Sequence, residues 1–381
     1  MHERSVLGPA DVTDEELAAI VADWLGASRG TVELVDSYAE VVPYDLDAIT
    51  TAGRFWVRGT ARTAAGAVPF SFFVKHVQSW SRSPLFAQVP PEHQEMAEAG
   101  VPWQTEPLIY RSDLADRLPQ GLTMPRAVAV RDLDDKSGAV WLEEVQAVEW
   151  TWTIDQLAQA AYLLGRLAAS PSVRELASIG ERARSWPVRS YVEGRLSLQI
   201  LPMLRGEEIW HHPLVAAAFD PGLRVRMLAA GDRVMDYLAE VEQVPLGTAH
   251  GDACTNNLLV QPDSDELVLI DYGFWTTQPL GFDLGQLLLG DVQIGRRPAS
   301  CLGPVENACL PAYVEGLRDE GCDVDAALVR RAHALQMLIY SGLSAIPVEH
   351  LGERPTPELH RIGAERAAAA RFMLDLVDAT A

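Results

Sequence analysis

Hydrophobic residues follow different periods in the two parts of the chain. Up to residue 142, short apolar runs between turn residues predict five strands, at 31–44, 55–62, 70–77, 127–130 and 139–142. Two helices, 13–25 and 106–118, interrupt this strand-rich part. From Trp150 onwards the apolar positions recur at helical spacing and predict further helices that begin at 153 or cover 191–204, 223–241, 305–318, 325–343 and 358–378. The pattern therefore predicts an α+β protein in which a sheet precedes a mainly helical region.

Composition narrows the class of protein. The 381 residues suit one large or two medium domains with a sizeable core. No apolar run approaches the roughly 20 residues of a membrane span, and the first residues lack the apolar core of a signal peptide. The four cysteines show no paired spacing, which is typical of reduced thiols in a cytoplasmic protein. We expect a cytoplasmic protein without a membrane partner.

The charge balance is strongly acidic. A formal net charge of −22 argues against a nucleic-acid partner, because phosphate backbones are bound by Lys and Arg. The same charge is compatible with a cationic small-molecule substrate drawn to an acidic cleft. A generally acidic, well-solvated surface explains it equally directly and is the simpler interpretation.

Lysine is scarce, and this makes its positions informative. Of 31 basic residues only two are Lys, Lys75 and Lys136. Lys136 lies in a polar turn, whereas Lys75 lies in an apolar run that is predicted to be a strand. A buried Lys usually has a partner, and a compact ammonium on a strand is suited to contact the phosphates of ATP. We therefore interpret Lys75 as a functional residue.

Several side chains suited to catalysis or metal binding fall in one predicted loop, His250-Gly251-Asp252-Ala253-Cys254-Thr255-Asn256-Asn257. An apolar strand follows it, and a second strand ends at Asp271. Phosphoryl transfer from ATP uses one carboxylate to orient an acceptor hydroxyl, and an amide and a second carboxylate to hold Mg²⁺. The spacing supplies this set in one loop and the adjoining strand end.

At these residues the chain resembles the aminoglycoside phosphotransferase and choline kinase-like family, a branch of the protein-kinase-like superfamily. That family has His-Gly-Asp, then Asn five residues after the Asp, and a metal-binding Asp at the end of a nearby strand. The resemblance implies that Asp252 is the catalytic base, that Asn257 and Asp271 bind Mg²⁺, and that His250 shapes the loop. Asp283, which we predict as the N-cap of the next helix, would support the loop from below.

The resemblance also implies a fold. We expect a protein-kinase-like two-lobe fold with a five-stranded antiparallel sheet in an N-terminal lobe, residues 1–142. A hinge at 143–148 would lead to a mainly helical C-terminal lobe, residues 149–381, which holds the catalytic loop and the substrate cleft.

Further nucleotide-binding residues follow from the same resemblance. Glu106 takes the place of the helix-borne Glu that holds the strand Lys, here Lys75; an acidic residue favoured in the first turn by the helix dipole is the alternative. Glu143 and Val145 fall where the superfamily's hinge binds adenine through its backbone.

The turn at 50–53 takes the place of the loop that covers the phosphates in kinases. Thr51 and Gly53 are its candidates, although Gly53 is the single glycine in residues 45–53. An ordinary hairpin turn is the alternative interpretation.

The implied function is an ATP-dependent, Mg²⁺-requiring small-molecule kinase acting as a monomer or homodimer. Acceptors of the family include aminoglycosides, choline, ethanolamine, sugars and homoserine. The acidic net charge slightly favours an amine-bearing acceptor among them. Two alternatives remain open: a non-catalytic nucleotide-binding regulator of kinase fold, and a metal-dependent hydrolase built on His250, Asp252 and Asp271. The hydrolase would need additional His and Asp ligands.

Overall fold

The computed structural model describes residues 2–43, 49–101, 103–148, 151–180, 188–262 and 264–381. The strands of the first part are β1 (His2–Glu3), β2 (Glu33–Val41), β3 (Thr51–Thr63), β4 (Gly66–Gln78), β5 (Leu122–Thr123), β6 (Ala127–Asp134) and β7 (Ser137–Glu143). Six of them form one sheet in the order β1-β2-β3-β4-β7-β6. The five predicted strands are all antiparallel neighbours within it, as expected.

Alternation of apolar residues explains which face of this sheet is buried. Phe55 and Val57 on β3 lie opposite Val74 and Phe72 on β4, and all four are buried. Side chains alternate between the faces of a strand, so residues of this spacing share one face. That face packs against helix α1 (Asp14–Leu25), whose Thr13 and Glu16 form the predicted capping box.

The sheet differs from the prediction at its edge and at one turn. Residues His2–Glu3 add a parallel edge strand beside β2. Arg4 follows directly, and its buried guanidinium bonds Asp11, Ser37 and the Val12 carbonyl. Residues 51–53, predicted as a turn, already belong to β3 and pair with β4 across a register shift. The predicted strand end at residue 44 lies outside the described residues.

Between β4 and β5 the described residues form three short 3-10 helices and then three α-helices, α2 (Gln94–Gly100), α3 (Thr105–Arg111) and α4 (Leu114–Arg117). The single helix predicted at 106–118 is wrong, because Ser112 adopts an extended conformation between α3 and α4. Its hydroxyl donates to the Ile109 carbonyl at 2.7 Å and accepts from the Leu114 N–H at 3.2 Å. A serine that bonds the backbone in this way competes with helix continuation.

The second part is mainly helical, as predicted. Its α-helices are α5 (Ile154–Ala169), α6 (Pro171–Arg174), α7 (Val188–Tyr191), α8 (Leu201–Arg205), α9 (Glu208–His211), α10 (Pro213–Ala216), α11 (Pro221–Asp232), α12 (Val234–Val241), α13 (Phe282–Gln293), α14 (Leu302–Asp319), α15 (Ala326–Met337) and α16 (Pro357–Ala379). Two π-helical segments, Val192–Ile200 and Leu338–Gly342, continue α7 and α15.

Four short strands lie among these helices: β8 (Leu246–Ala249), β9 (Leu258–Val260), β10 (Leu267–Leu269) and β11 (Thr276–Pro279). β8 pairs with β11, while β9 and β10 form a hairpin that β5 extends. The candidate catalytic loop therefore runs from the end of β8 to the start of β9.

Two hydrophobic cores correspond to the two kinds of structure. One joins α1 to the buried face of the sheet. The other fills the helical part and reaches across to Ile109 and Leu114 in the first part. Within the described residues, no helix combines the length and the apolar character that crossing a membrane requires.

Candidate active site

The β9–β10 hairpin brings the loop's Asn257 to the strand end that precedes Asp271. Leu258 pairs with Leu269, and the Ile270 N–H donates to the Asn257 carbonyl at 3.1 Å. Both strands are short apolar triplets, and five of their six residues are buried. Local pairing thus places an amide and a carboxylate at one end of the hairpin.

The loop is closed by its own side chains. Asn257 Nδ2 donates to the Asp252 carbonyl at 2.8 Å and to Asp252 Oδ2 at 3.0 Å. Gly251 has φ 86°, and a Cβ there would lie 2.0 Å from the Phe274 carbonyl oxygen. Only glycine fits this left-handed, crowded position, so the middle residue of His-Gly-Asp is fixed by space.

His250 ties the loop to the strand end. Its side chain is buried, its Nε2 lies 3.0 Å from the Ile270 carbonyl, and its Nδ1 lies 3.4 Å from the Asp252 N–H. Because a carbonyl only accepts, Nε2 carries the proton and Nδ1 is the acceptor. Burial lowers the pKa of His250 to about 4. The ring is therefore neutral near pH 7 and faces the backbone with both nitrogens.

Asp283 lies beneath the same loop. Its two carboxylate oxygens accept the N–H groups of His250 at 2.8 Å and of Gly251 at 2.9 Å. The predicted N-cap role is wrong: α13 begins at Phe282, and Gly281 is its N-cap. The carboxylate spans the loop instead of capping the helix. Burial raises the pKa of Asp283 to about 6, opposed by these two hydrogen bonds.

Lys75 lies at the meeting point of three elements. Its Nζ lies 2.6 Å from Glu106 Oε2 on α3 and 2.8 Å from Asp271 Oδ1 after β10. Lys75 and Glu106 are buried, whereas the Asp271 side chain is 38% exposed. Burial alone would lower the pKa of Lys75, but the two carboxylates outweigh it and raise the pKa above its usual range. The ammonium is thus permanently charged and fixed in place.

Asp271 has an unusual backbone. Its φ of 65° is the single positive φ at a non-glycine position among the described residues. Conformations of this kind persist where the surroundings enforce them and cluster at functional sites. Burial would raise the pKa of Asp271, but the charge and hydrogen bond of Lys75 lower it. Asp271 is therefore an ionised carboxylate at the cleft.

Asp252 is in the opposite electrostatic situation. Burial raises its pKa to about 6, the charge of Asp271 adds to the rise, and the Asn257 hydrogen bond opposes it. A carboxylate with a pKa close to neutral is a better proton acceptor than an ordinary aspartate and is still ionised at pH 7. The two aspartates of the site thus have pKa values that are pushed apart.

A stack of aromatic rings, which the sequence did not indicate, runs behind these residues. Tyr110 on α3 packs edge-on against Tyr272 at 5.6 Å, and Tyr272 packs against the His250 ring at 5.2 Å. Tyr110 lies one helical turn after Glu106, and Tyr272 directly follows Asp271. The i+4 spacing and the adjacency were the available signals. These ring contacts join α3, the segment that follows Asp271, and the candidate catalytic loop.

The donor set suits Mg²⁺. Asn257 bonds Asp252 through its Nδ2 only, so these bonds do not use its Oδ1. Asp271 contacts Lys75 through Oδ1 and has a second carboxylate oxygen. No cluster of three or more His, Cys, Asp or Glu residues able to hold a metal occurs in the described part of the chain. Mg²⁺ is commonly held by one or two protein groups plus phosphates. The side-chain oxygens of Asn257 and Asp271 match this requirement.

Among the described residues, no hydrogen bond or ion pair joins the side chains of the remaining candidates to this centre. Glu143 ends β7; its N–H donates to the Arg126 carbonyl at 3.0 Å, and its Oε1 accepts from the Arg126 N–H. Val145 is half-buried in the following segment. Thr51 and Gly53 begin β3, and a Cβ on Gly53 would lie 2.6 Å from the Phe55 ring.

The structure joins a strand-rich first part to a helical second part and places the Lys75–Glu106 pair beside Asp271 and the Asp–Asn loop. Residues 70–308 match the model of the phosphotransferase enzyme family, which is more than half of the chain, and the chain belongs to that family. The resemblance drawn from the sequence is thereby confirmed.

Several solved structures are similar in outline. The spectinomycin phosphotransferase solved with ADP and spectinomycin is 12% identical, with a TM-score of 0.45 and coverage of 97% of this chain and 98% of that one. An aminoglycoside phosphotransferase from Alicyclobacillus acidocaldarius is 13% identical, with a TM-score of 0.48 and 98% coverage of both chains. An ethanolamine kinase from Plasmodium vivax is 12% identical, with a TM-score of 0.45 and coverage of 91% and 84%. Likeness at this level says nothing about the substrate of this chain. No curated protein matches the chain.

Proposed function

We propose that the protein transfers the γ-phosphoryl group of Mg·ATP to a hydroxyl of a small acceptor. The observation that carries the proposal is the position of the Lys75 ammonium, 2.6 Å from Glu106 and 2.8 Å from Asp271. An Asp–Asn loop shares the same hairpin end as Asp271. Phosphoryl transfer depends on positioning and charge stabilisation, which this set supplies.

Lys75 would contact the α- and β-phosphates of ATP, and Glu106 would hold it extended. The buried Lys75–Glu106 pair leaves the ammonium no freedom to turn away. The backbone of Glu143 and Val145 would bind adenine. Because the Glu143 N–H already donates to Arg126, we assign the donor role to Val145 and the acceptor role to Glu143. Thr51 and Gly53 would lie over the phosphates.

Asn257 and Asp271 would hold Mg²⁺, which when bound neutralises charge on the phosphates. Asn257 reaches this position because its Nδ2 is bonded to Asp252. Asp271 shares its other oxygen with Lys75, so the ammonium and the metal-binding oxygen are fixed relative to each other.

Asp252 would orient the acceptor hydroxyl and accept its proton. It is partly exposed, and its raised pKa of about 6 suits a group that must take up a proton near neutral pH. His250 and Asp283 hold the backbone that carries it. His250 itself is buried against the backbone and has no nitrogen facing the cleft.

The acceptor would be a small amine-bearing or sugar-like molecule, such as an aminoglycoside. The net charge of −22 is compatible with a cationic acceptor, which an acidic cleft would attract.

The test is the release of ADP from Mg·ATP in the presence of single acceptors: aminoglycosides, choline, ethanolamine, simple sugars, nucleosides and homoserine. Asp252→Ala runs beside the wild type, and Asp265→Ala, an exposed residue in the β9–β10 turn, is the matched control. Turnover with one acceptor that disappears in Asp252→Ala alone supports the proposal. ATP binding without turnover on any acceptor would instead support a non-catalytic regulator of kinase fold.

A further inference from the structure

The two residues that precede α13 are held by three buried side chains from neighbouring helices. The Gly281 N–H donates to the Tyr313 hydroxyl at 3.0 Å, and the Gly281 carbonyl lies 3.3 Å from His333 Nδ1. Gln336 Nε2 donates to the Leu280 carbonyl at 3.2 Å. Tyr313 comes from α14 and the other two from α15. We call Tyr313, His333 and Gln336 the α13 clamp.

The clamp places three polar side chains in an apolar core. Its three residues are at most 2% exposed. Buried polar side chains cost free energy unless they are bonded, so three of them directed at one short segment need a reason. Because the Gly281 carbonyl only accepts, His333 Nδ1 carries a proton. Burial lowers the pKa of His333 to about 4, which keeps the ring neutral.

The held segment has little freedom of its own. Gly281 has φ 91°, and a Cβ there would lie 3.2 Å from His333 Cβ and 3.4 Å from the Val329 carbonyl oxygen. The glycine thus allows α15 to approach closely and allows the chain to turn into α13. The Leu280 N–H is bonded as well, to the Pro245 carbonyl at 3.0 Å.

This segment leads to the carboxylate under the catalytic loop. Asp283 is two residues after Gly281, in the first turn of α13, and bonds the N–H groups of His250 and Gly251. We propose that the α13 clamp positions Asp252 by fixing the start of α13, and with it the Asp283 carboxylate that holds the loop. The clamp residues are positioning residues, and this inference rests on the proposed phosphoryl transfer.

The experiment compares His333→Leu, which loses the donor to Gly281, with His333→Asn, whose amide nitrogen occupies the place of Nδ1. Tyr313→Phe removes a second bond. Leu17→Ala, in the core of the first lobe, is the control for loss of stability without contact to the clamp. Amide hydrogen exchange is followed in peptides covering residues 246–257 and, for comparison, 55–62. The kcat and the KM for ATP are measured in parallel.

We expect faster exchange at 246–257 in His333→Leu and Tyr313→Phe, with 55–62 unchanged, and recovery in His333→Asn. The kcat should fall on the order of 10- to 100-fold, as for a small misplacement of a reacting group, with the KM for ATP within about twofold of the wild-type value. Leu17→Ala should lower the melting temperature without this pattern.

Unchanged exchange at 246–257 in both clamp variants would overturn the inference, and so would a uniform increase in both peptides or a failure of His333→Asn to recover. The exchange readout needs no turnover. If wild-type protein turns over no acceptor, the proposed function fails, while the exchange pattern alone still decides whether the clamp holds the loop.

Discussion

The ionic centre at Lys75 and the catalytic loop at residues 250–257 lie side by side but are built in different ways. The loop's main contact, Asn257 to Asp252, spans five positions, whereas Lys75 to Asp271 spans 196. The loop is shaped by its own Asn257–Asp252 contact, a hairpin and a glycine, and Asp283 then holds two of its N–H groups. The ionic centre exists only because a strand, a helix and a hairpin have packed together. Substitutions in the loop should therefore affect chemistry, and those in the ionic centre should affect chemistry and folding together.

The largest expected effect is on catalysis and comes from the loop. Asp252→Asn keeps the size of the side chain and removes the proposed base, so kcat should fall by about 10²- to 10⁴-fold. ATP affinity and melting temperature should stay close to wild type, because no described hydrogen bond or ion pair joins Asp252 to Lys75 or Glu106. Kinetics, nucleotide titration and thermal melting measure the three quantities. A comparable loss of ATP affinity would show that the loop and the centre are not separable.

The second effect tests the centre. Lys75→Met leaves Glu106 buried without its cation, which typically costs about 3–5 kcal/mol of the free energy of unfolding. Turnover should be lost as well. Lys75→Arg should not restore it, because a planar guanidinium does not fit the place of a compact ammonium. Denaturant unfolding and ADP release measure both. If Lys75→Met together with Glu106→Gln is no more stable than Lys75→Met alone, the buried charge is not the cause.

Asp271 is part of the ionic centre and lies beside the loop across the β9–β10 hairpin. Its substitution should therefore affect both regions. Asp271→Asn removes the charge of a proposed metal ligand, and we expect Mg·ATP to bind about 10- to 100-fold more weakly. Titration of Mg²⁺ at fixed nucleotide concentration measures this. Asn257→Asp, which keeps an oxygen ligand, is the matched comparison and should retain more metal affinity. Equal losses of nucleotide binding in Asp252→Asn and Asp271→Asn would contradict our division of roles.

The smallest effect concerns pH. The pKa of Asp252 is raised to about 6 by burial and by the charge of Asp271. The base acts as the carboxylate, so kcat/KM for the acceptor should be level above this pH and should fall about tenfold per pH unit below it. Steady-state rates from pH 5 to 8 at saturating Mg·ATP measure the profile. The residual rate of Asp252→Asn should not fall in this way below about pH 6. A fall retained in the variant would show that another group titrates.

Much of the loop could be predicted from the sequence because it is specified by near neighbours. His250, Asp252, Asn257 and Asp271 fall within a few residues of a two-strand pattern, and the lack of other lysines singled out Lys75. The five strands and the helical second part followed from the periods of their apolar residues. The resemblance to a known family supplied the roles, which remain proposals.

What could not be predicted depends on contacts between distant positions or on single hydrogen bonds. The Ser112 hydroxyl breaks the helix predicted at 106–118, and an apolar pattern does not register such a bond. The local pattern around Asp283 predicts a helix cap, whereas its partners lie 32 and 33 positions away. Its support of the loop was indicated by the family resemblance and by no local pattern. The Tyr110–Tyr272–His250 ring contacts join three elements, and the spacing of Tyr110 from Glu106 and the adjacency of Tyr272 to Asp271 do not by themselves predict that the three rings meet.

The scarcity of lysine has a practical consequence. Amine-acylating reagents have two side-chain targets in this chain, and the two differ greatly in access: the Lys136 side chain is 43% exposed and the Lys75 side chain 8%. Mass spectrometry after mild acylation would therefore yield a spectrum with one readily modified lysine and one protected lysine. The extent of modification at Lys75, normalised to Lys136 in the same molecule, would report how accessible Lys75 is and whether added Mg·ATP protects it, without any acceptor being known.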